Sequence, residues 1–219
     1  MAVGCRTILN QVQRVTLEGA GDDGATWPSG MWTQAEVLGY LNQRQNRLLA
    51  ACGILWKRAE TNITISQANQ AQPSDWVRTV FVAYKTGAGL YRELPKLSSG
   101  ELDLWLPTWP GTSNASPRGY YEDDGGDTLT TYVAPIPTEA GSALERYYIY
   151  LGTTLTQTPD VNFTVPDEFV PTVKYGCLAE MLGKVGPAQN LVLSQAAEER
   201  WEEGVEMGKL MSQEGWFAL

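Results

Sequence analysis

Residues 165–187, VPDEFVPTVKYGCLAEMLGKVGP, decide how this chain is organised. Asp167 and Glu168 place negative charge where it complements the dipole of a helix's first turn. Gly186 followed by Pro187 predicts a sharp break between helices. Between these signals, apolar side chains recur at helical spacing as far as Gly183 or Gly186: Val170, Val173, Cys177, Leu178, Met181 and Leu182. The stretch therefore predicts one helix, a break, and a second helix beyond it.

The second helix is predicted over residues 188–211, and its two faces differ in chemistry. One face carries Leu193, Ala197, Trp201, Val205 and Gly208. The other carries five glutamates: Glu198, Glu199, Glu202, Glu203 and Glu206. Lys184 and Lys209 flank this glutamate stripe and only Arg200 interrupts it, so internal salt bridges are not expected to explain it.

Helices are also predicted towards the start of the chain. Residues 6–17 form a short amphipathic segment, and residues 19–30 form a loop rich in Gly and Pro. Thr33 and Glu36 then make a capping box that starts a long helix. Its apolar face is predicted to comprise Leu38, Leu41, Leu48, Cys52 and Leu55, with Glu36, Gln43, Arg44 and Arg47 elsewhere.

The spacing of apolar residues changes at Thr61 from a helical to an alternating pattern. Residues 62–66 alternate, and residues 76–84 are rich in β-branched and aromatic side chains. Further strands are predicted at residues 90–94, 120–122, 128–133 and 144–151, separated by Gly-containing turns. A short helical turn is expected after Ser98.

These elements predict an α+β fold in which an antiparallel β domain is inserted into a helical bundle. The bundle consists of N-terminal helices plus two C-terminal helices. The predicted divisions are a helical domain over residues 1–60 and 156–212, an inserted β domain over 61–155, and a C-terminal tail over 213–219.

Composition excludes several classes of function. The 219-residue chain carries 16 basic and 25 acidic residues, a net charge of −9, which is the reverse of a tight DNA binder. It has no histidine, and therefore lacks the commonest general base and zinc ligand. Its three cysteines are scattered and odd in number, which disfavours a disulfide framework. With no signal peptide and no apolar run long enough for a membrane, a soluble protein made in the cytoplasm is expected.

The acidic clusters at residues 22–23 and 122–127 raise the question of a calcium site. Neither has the EF-hand spacing, and the second lies between two predicted strands, where Asp-Gly is a hairpin turn. No nucleophile, phosphate-loop or dinucleotide motif is present. We therefore predict no enzyme activity, no catalytic residue, no metal and no cofactor.

The chain has eight Trp and ten Tyr but only four Phe, and two interpretations compete. The first is a sugar-binding face built from Trp76, Trp105, Trp109, Tyr120 and Tyr121. The second is that these rings fill a β core and a surface between subunits, where Tyr and Trp are enriched. The second is favoured because a carbohydrate-binding module would not need the helices that make up almost half of the chain.

Several segments resemble the head–tail adaptor (connector or neck) proteins of tailed bacteriophages. The first is Ser116–Tyr121, SPRGYY, and the second is APIP at residues 134–137 followed by the strand at 146–151. The third is VPDEF at 165–169, leading through KYGCLAEML at 174–182 to AAEERW at 196–201. The resemblance covers roughly residues 33–211. It implies a non-catalytic virion protein assembled as a ring, expected to be a dodecamer, beneath the portal.

The resemblance also implies partners and surfaces. The partners would be the portal protein, neighbouring copies of the chain, and a tail or nozzle protein. DNA would be only passing cargo, and the protein would occupy the virion neck, and the host cytoplasm before assembly. An acidic wall would not hold DNA phosphates, so the face formed by Glu198, Glu199, Glu202, Glu203 and Glu206 is expected to point toward the channel or to lie close beside it. A position on the outer wall of the ring is the open alternative.

Two further surfaces are expected. The subunit interface is assigned to Trp201, Tyr120 and Tyr121. The portal contact is assigned to the apolar tail Trp216, Phe217, Ala218 and Leu219, because four consecutive apolar residues gain by burial against a partner. Two alternatives stay open: a tail-completion or head-closure ring protein that does not touch the portal, and a carbohydrate-binding host-attachment module.

Overall fold

The computed structural model describes residues 3–16, 31–109, 111–114, 116–123 and 130–213. The elements follow in the order α1 (Cys5–Val15), α2 (Gln34–Cys52), β1 (Trp56–Asn62), β2 (Asn69–Ala71), β3 (Trp76–Lys85), β4 (Tyr91–Leu94), α3 (Ser99–Trp105), β5 (Ser113–Asn114), β6 (Gly119–Asp123), β7 (Thr130–Ala134), β8 (Ile136–Pro137), β9 (Ala143–Tyr150), α4 (Val170–Gly183) and α5 (Leu191–Gln213). A 3₁₀ turn over Asp167–Phe169 precedes α4. The predicted α+β fold class is confirmed.

The chain divides into two compact units. Residues 1–55 and 151–219 form the helical unit, and residues 56–150 form the β unit. The helical unit has one core, to which α1, α2, α4 and α5 all contribute. Among its fully or almost fully buried side chains are Leu9, Val12, Val37, Leu41, Leu48, Leu49, Val173, Cys177 and Met181. Within the described residues, none of the helices combines the length and apolar character needed to cross a membrane.

Helix α2 begins at a capping box and ends at a glycine. The Thr33 hydroxyl accepts a hydrogen bond from the Glu36 backbone N–H at 3.2 Å, and the Glu36 carboxylate accepts one from the Thr33 N–H at 2.9 Å. The predicted capping box is therefore present. Gly53 ends the helix in the left-handed region, with φ 62°. Leu55, predicted on the helix face, consequently lies beyond the helix.

Helix α5 begins later than predicted, at Leu191 instead of residue 188. The side chain of Asn190 accepts a hydrogen bond from the Leu193 backbone N–H at 3.1 Å, which satisfies one free donor of the first turn. Leu193, predicted on the packed face, is 53% exposed. Its position at the start of the helix leaves it outside the core that buries Ala197 and Trp201.

The β unit contains a four-stranded antiparallel sheet in the order β1-β9-β3-β4. A second antiparallel sheet has the order β2-β7-β6, and β5 pairs with β8 in parallel. A core cluster combines residues from both larger sheets and from the segment after β1: Ile63, Val82, Tyr84, Leu94, Tyr120, Val133 and Leu144.

The prediction of a strand over residues 62–66 is wrong, because β1 ends at Asn62. The buried side chain of Gln70 takes the place of a neighbouring strand. Its amide oxygen accepts from the Thr64 N–H at 2.8 Å and its amide nitrogen donates to the Thr64 carbonyl at 3.1 Å. Ser66 then turns the chain with φ 64°. The backbone groups are thus satisfied without a sheet ladder.

Candidate functional site

Helix α5 packs closely enough on its neighbours to hold its outer face in a defined position. Ala197 and Trp201 are each 7% exposed. A Cβ placed on Gly204 would lie 2.2 Å from the Thr172 hydroxyl oxygen on α4. A Cβ on Gly208 would lie 2.7 Å from the sulfur of Cys52 on α2. Glycine at both positions therefore permits an approach that no larger residue would allow without displacement.

Glu198, the first residue of the stripe, is held against the helical unit by an arginine, with its side chain 38% exposed. Arg44 on α2 donates through Nη1 and Nη2 to the two carboxylate oxygens of Glu198, each at 2.8 Å. Its Nη2 also donates to Glu180 of α4 at 2.8 Å. This two-pronged geometry matches a guanidinium to a carboxylate and joins three helices through one cation.

The surroundings of Arg44 explain why it stays charged although it is only 4% exposed. Burial by itself lowers the pKa of this guanidinium. The hydrogen bonds and charges of Glu198 and Glu180 outweigh burial, so the pKa lies above its ordinary value. The guanidinium carbon lies 5.0 Å from the centroid of the Trp201 ring. Gly176 makes room, since a Cβ there would lie 2.7 Å from Arg44 Cδ and 2.8 Å from Trp201 Cε3.

The expectation that Arg44 lies off the packed face of α2 is wrong. The sequence did contain a signal for its position, because Arg44 follows Leu41 by three residues and precedes Leu48 by four. That spacing places it on the same face as two fully buried leucines.

The remaining four glutamates of the stripe are exposed. Arg200 pairs with Glu203 at 2.9 Å, and Lys209 pairs with Glu206 at 2.6 Å. Gln195 donates to Glu199 at 3.3 Å. The expectation that internal salt bridges do not explain the stripe is therefore wrong for Glu198, Glu203 and Glu206. Both exposed pairs are short-range contacts in solvent, so they reduce repulsion along the helix without contributing much stability.

The three residues assigned to a subunit interface lie in different surroundings. Trp201 belongs to the core of the helical unit, and Tyr120, 2% exposed, belongs to the core of the β unit. Burial raises the pKa of the Tyr120 hydroxyl. Tyr121 points to the opposite side of β6 and stacks on Tyr132 with ring centroids 4.6 Å apart. Trp201 and Tyr120 thus leave little surface for a neighbour, whereas Tyr121 is half-buried.

The tryptophans considered for a sugar-binding face differ in exposure and in their partners. Trp109 is 7% exposed and meets Tyr121 edge-on, with centroids 5.4 Å apart. Trp76 donates through its ring N–H to the hydroxyl of Thr79 at 2.8 Å. Trp105 is 56% exposed on α3. Trp109 and Tyr121 therefore pack against each other, as aromatic rings do in a protein core.

Glu122, the first residue of the second acidic cluster, is held by other side chains of the β unit. Glu122 accepts from Lys96 at 2.6 Å and from the hydroxyl of Thr79. Within the described ranges, no group of three or more acidic, histidine or cysteine side chains is placed to hold a metal ion. Residues 124–127 of the second acidic cluster lie outside those ranges, as does the side chain of Asp123. The assigned portal contact, Trp216, Phe217, Ala218 and Leu219, also lies outside them.

The fold defines the class as an α+β protein with a helical unit and an inserted β unit. The charged groups described above join helices or pair on the surface, and several aromatic rings pack on one another, which stabilises the fold but does not by itself indicate a function. The profile of the SU10 adaptor protein family matches residues 5–214, so the chain belongs to this family of phage head–tail adaptors. The suspected resemblance is thereby confirmed. No curated protein matches the chain.

Family membership establishes the coarse role as well. The protein is a structural component of a bacteriophage virion with a head–tail adaptor role. An adaptor of this kind interacts with other virion components such as portal and tail.

Proposed function

We propose that the protein assembles as a ring, expected to have twelve subunits, between the portal and the tail, and that DNA passes through its centre. The observation that carries the proposal is the family match over residues 5–214, which includes both units. The net charge of −9 supports it, because a conduit must not bind the phosphates that slide past. In a cyclic ring each subunit uses two different faces, one for each neighbour.

We propose that the glutamate stripe of α5 lines or adjoins the channel. Glu198 helps to hold α5 in place through its ion pair with Arg44. Glu199 and Glu202 present unneutralised charge to solvent. Such a wall repels DNA at short range and is screened over about 8–10 Å at physiological salt.

Charge reversal tests the channel assignment. Glu199→Lys/Glu202→Lys is expected to leave particles intact but to slow DNA ejection, with the delay shrinking at higher salt. The matched control is Glu199→Gln/Glu202→Gln, which removes the charge without creating a cationic wall. Ejection at the normal rate from the lysine variant, or a structure of the assembled neck with these residues on the outer perimeter, contradicts the assignment.

We propose that residues 213–219 contact the portal, through Trp216, Phe217, Ala218 and Leu219. Large apolar side chains each gain about 1.5–3 kcal/mol by full burial, and a portal groove would supply that burial. Tyr121 is proposed as the part of the aromatic set that meets a neighbouring subunit, since the residue is half-buried whereas Tyr120 and Trp201 are buried.

The test is binding to purified portal by the full chain and by a chain lacking residues 213–219. The truncated protein is expected to keep its melting temperature and to lose portal binding. Trp216→Ala/Phe217→Ala is the milder variant and is expected to weaken binding in the same direction. A full chain that binds the next tail protein but not portal supports a head-closure role instead. A truncated chain that binds portal normally refutes the tail assignment.

A further inference from the structure

Helix α5 carries a second pattern on one flank, between its packed face and the glutamate stripe, with Glu203 belonging to both the pattern and the stripe. Its members are Leu193, Ala196, Arg200, Glu203, Met207 and Leu210, and we name them the α5 seam. Their spacings alternate between three and four residues, which is the repeat that keeps one stripe of a helix facing a partner helix. The seam is apolar at both ends and charged in the middle.

The seam is open to solvent in the helical unit. Leu193 is 53% exposed, Met207 60% and Leu210 61%. The side chains of Arg200 and Glu203 are each 65% exposed. Three large apolar side chains at coiled-coil spacing on one exposed flank differ from the scattered apolar residues of an ordinary surface.

The order of residues in the seam is self-complementary in the antiparallel sense. Two copies aligned antiparallel about a midpoint between Trp201 and Glu202 place Leu193 against Leu210 of the other copy. The same alignment places Ala196 against Met207, a small residue against a large one. At the centre, Arg200 of each copy meets Glu203 of the other. Every contact is therefore apolar with apolar or cation with anion.

We propose that the seam pairs with the seam of a second copy, antiparallel and two-fold symmetric, and that the free protein is a dimer through this contact. Parallel pairing would set Arg200 against Arg200 and Glu203 against Glu203, which charge repulsion opposes. A partner with a different sequence would not need the seam to be complementary to itself, so the self-complementary order favours a second copy as the partner. The pairing rests on the seam alone and does not depend on the proposed portal contact.

The size of the seam sets the strength of the dimer. A single pair of helices buries less than the roughly 1,200–2,000 Å² of a stable complex. The dimer is therefore expected to be weak and to form only as the protein concentration rises. A two-fold contact is closed, because it uses the same face on both partners and does not propagate into a ring. It keeps the seam of the unassembled protein covered.

Sedimentation velocity over a concentration series tests the pairing. The full chain is expected to shift from monomer to dimer. Arg200→Glu places like charges at both central contacts and is expected to weaken the dimer at least tenfold. Arg200→Glu/Glu203→Arg restores complementary charges and is expected to recover most of the affinity. Lys209→Glu changes the net charge equally but lies off the seam, so its dimer should be within about twofold of the parent.

Cross-linking tests the direction of the helices. Ala196→Cys and Met207→Cys are prepared as two separate proteins, mixed and oxidised. The antiparallel dimer predicts a cross-link in the mixture and none in either protein alone, where the thiols are about 16 Å apart along the helix axis. The native thiols are buried, and burial raises the pKa of Cys5 to about 12 and of Cys52 to about 11, so they stay unreactive.

Three results would overturn the proposal. The first is a chain that remains monomeric up to its solubility limit. The second is a dimer whose dissociation constant is the same for Arg200→Glu as for the parent. The third is a cross-link within Ala196→Cys alone, which would mean that the helices pair in parallel.

Discussion

Gly204 and Gly39 both lie in the interior of long helices, and alanine at the two positions is expected to act in opposite directions. A Cβ on Gly39 of α2 would meet no atom within 4 Å. A Cβ on Gly204 of α5 would lie 2.2 Å from Thr172 Oγ1 and 2.4 Å from Thr172 Cγ2. The two substitutions share the same change in helix propensity, so their difference reports the packing of α5 on α4.

The magnitudes follow from these two terms. Alanine is about 1 kcal/mol more favourable than glycine inside a helix, so Gly39→Ala should stabilise by about that amount. Gly204→Ala gains the same about 1 kcal/mol but loses about 1–3 kcal/mol to overpacking. Its net effect is a destabilisation of up to about 2 kcal/mol. For a chain of this size, 1 kcal/mol shifts the melting temperature by roughly 2–4 °C.

The assay is thermal and urea unfolding followed by the helical circular dichroism signal, because both glycines lie in helices of one unit. Thr172→Ala removes the two atoms nearest the added methyl group. In combination with Gly204→Ala it should therefore recover part of the loss, beyond the sum of the single effects. If Gly204→Ala stabilises as much as Gly39→Ala, α5 does not pack on α4 at this distance and the reasoning is refuted.

Three further predictions concern charged groups. A hydrogen bond from Lys184 lowers the pKa of Glu36 below its ordinary value, so the stabilisation is fully present above the ordinary pKa and is lost as pH falls through the lowered value. Glu36→Gln should flatten the melting-temperature profile in this acid range, and an unchanged profile would refute the role. Arg44→Met leaves two partly exposed carboxylates without their cation and should cost about 1–3 kcal/mol in urea unfolding, less than the loss of a partner from a fully buried pair. Arg47 is the control, because its side chain is 55% exposed and its Nη1 lies 3.8 Å from Oε1 of Glu180. Arg47→Met should cost almost nothing, and a loss equal to that of Arg44→Met would contradict the structural role of Arg44. Burial lowers the pKa of Arg146 to about 10, and within the described residues none of its guanidinium nitrogens has a hydrogen-bond partner. Arg146→Met should therefore raise the melting temperature, and a fall would reveal a compensating interaction.

The elements of the fold were predictable where neighbours in sequence decide them. The capping box at Thr33 and Glu36 acts over three residues, and the helical spacing of Val173 and Cys177 acts over about one turn. The change to an alternating pattern in the middle of the chain likewise predicts strands between helices. These local signals are the reason that the α+β class was predicted correctly. The family was identified instead from the resemblance of whole segments to a known family, which the family profile confirms.

The detailed surfaces were less predictable because they depend on distant partners. The charge of Glu198 is paired by Arg44, which lies 154 residues away in sequence. Helical spacing shows that the two residues lie on helices but not which helices meet. Thr64 is not in a strand, because the side chain of Gln70 makes the hydrogen bonds to its backbone that a neighbouring strand would make. Residue propensities cannot predict such a contact.

The sequence by itself determined the succession of helices and strands, the acidity of the chain and the separation of charge from apolar residues along α5. Those properties follow from spacing and composition, which need no knowledge of neighbours in space. Only the tertiary structure decided which residues of α5 are buried or paired within the subunit and which remain exposed. Burial depends on what packs against each side chain, and for Glu198, Trp201 and Leu193 that is set by α2 and α4, not by α5.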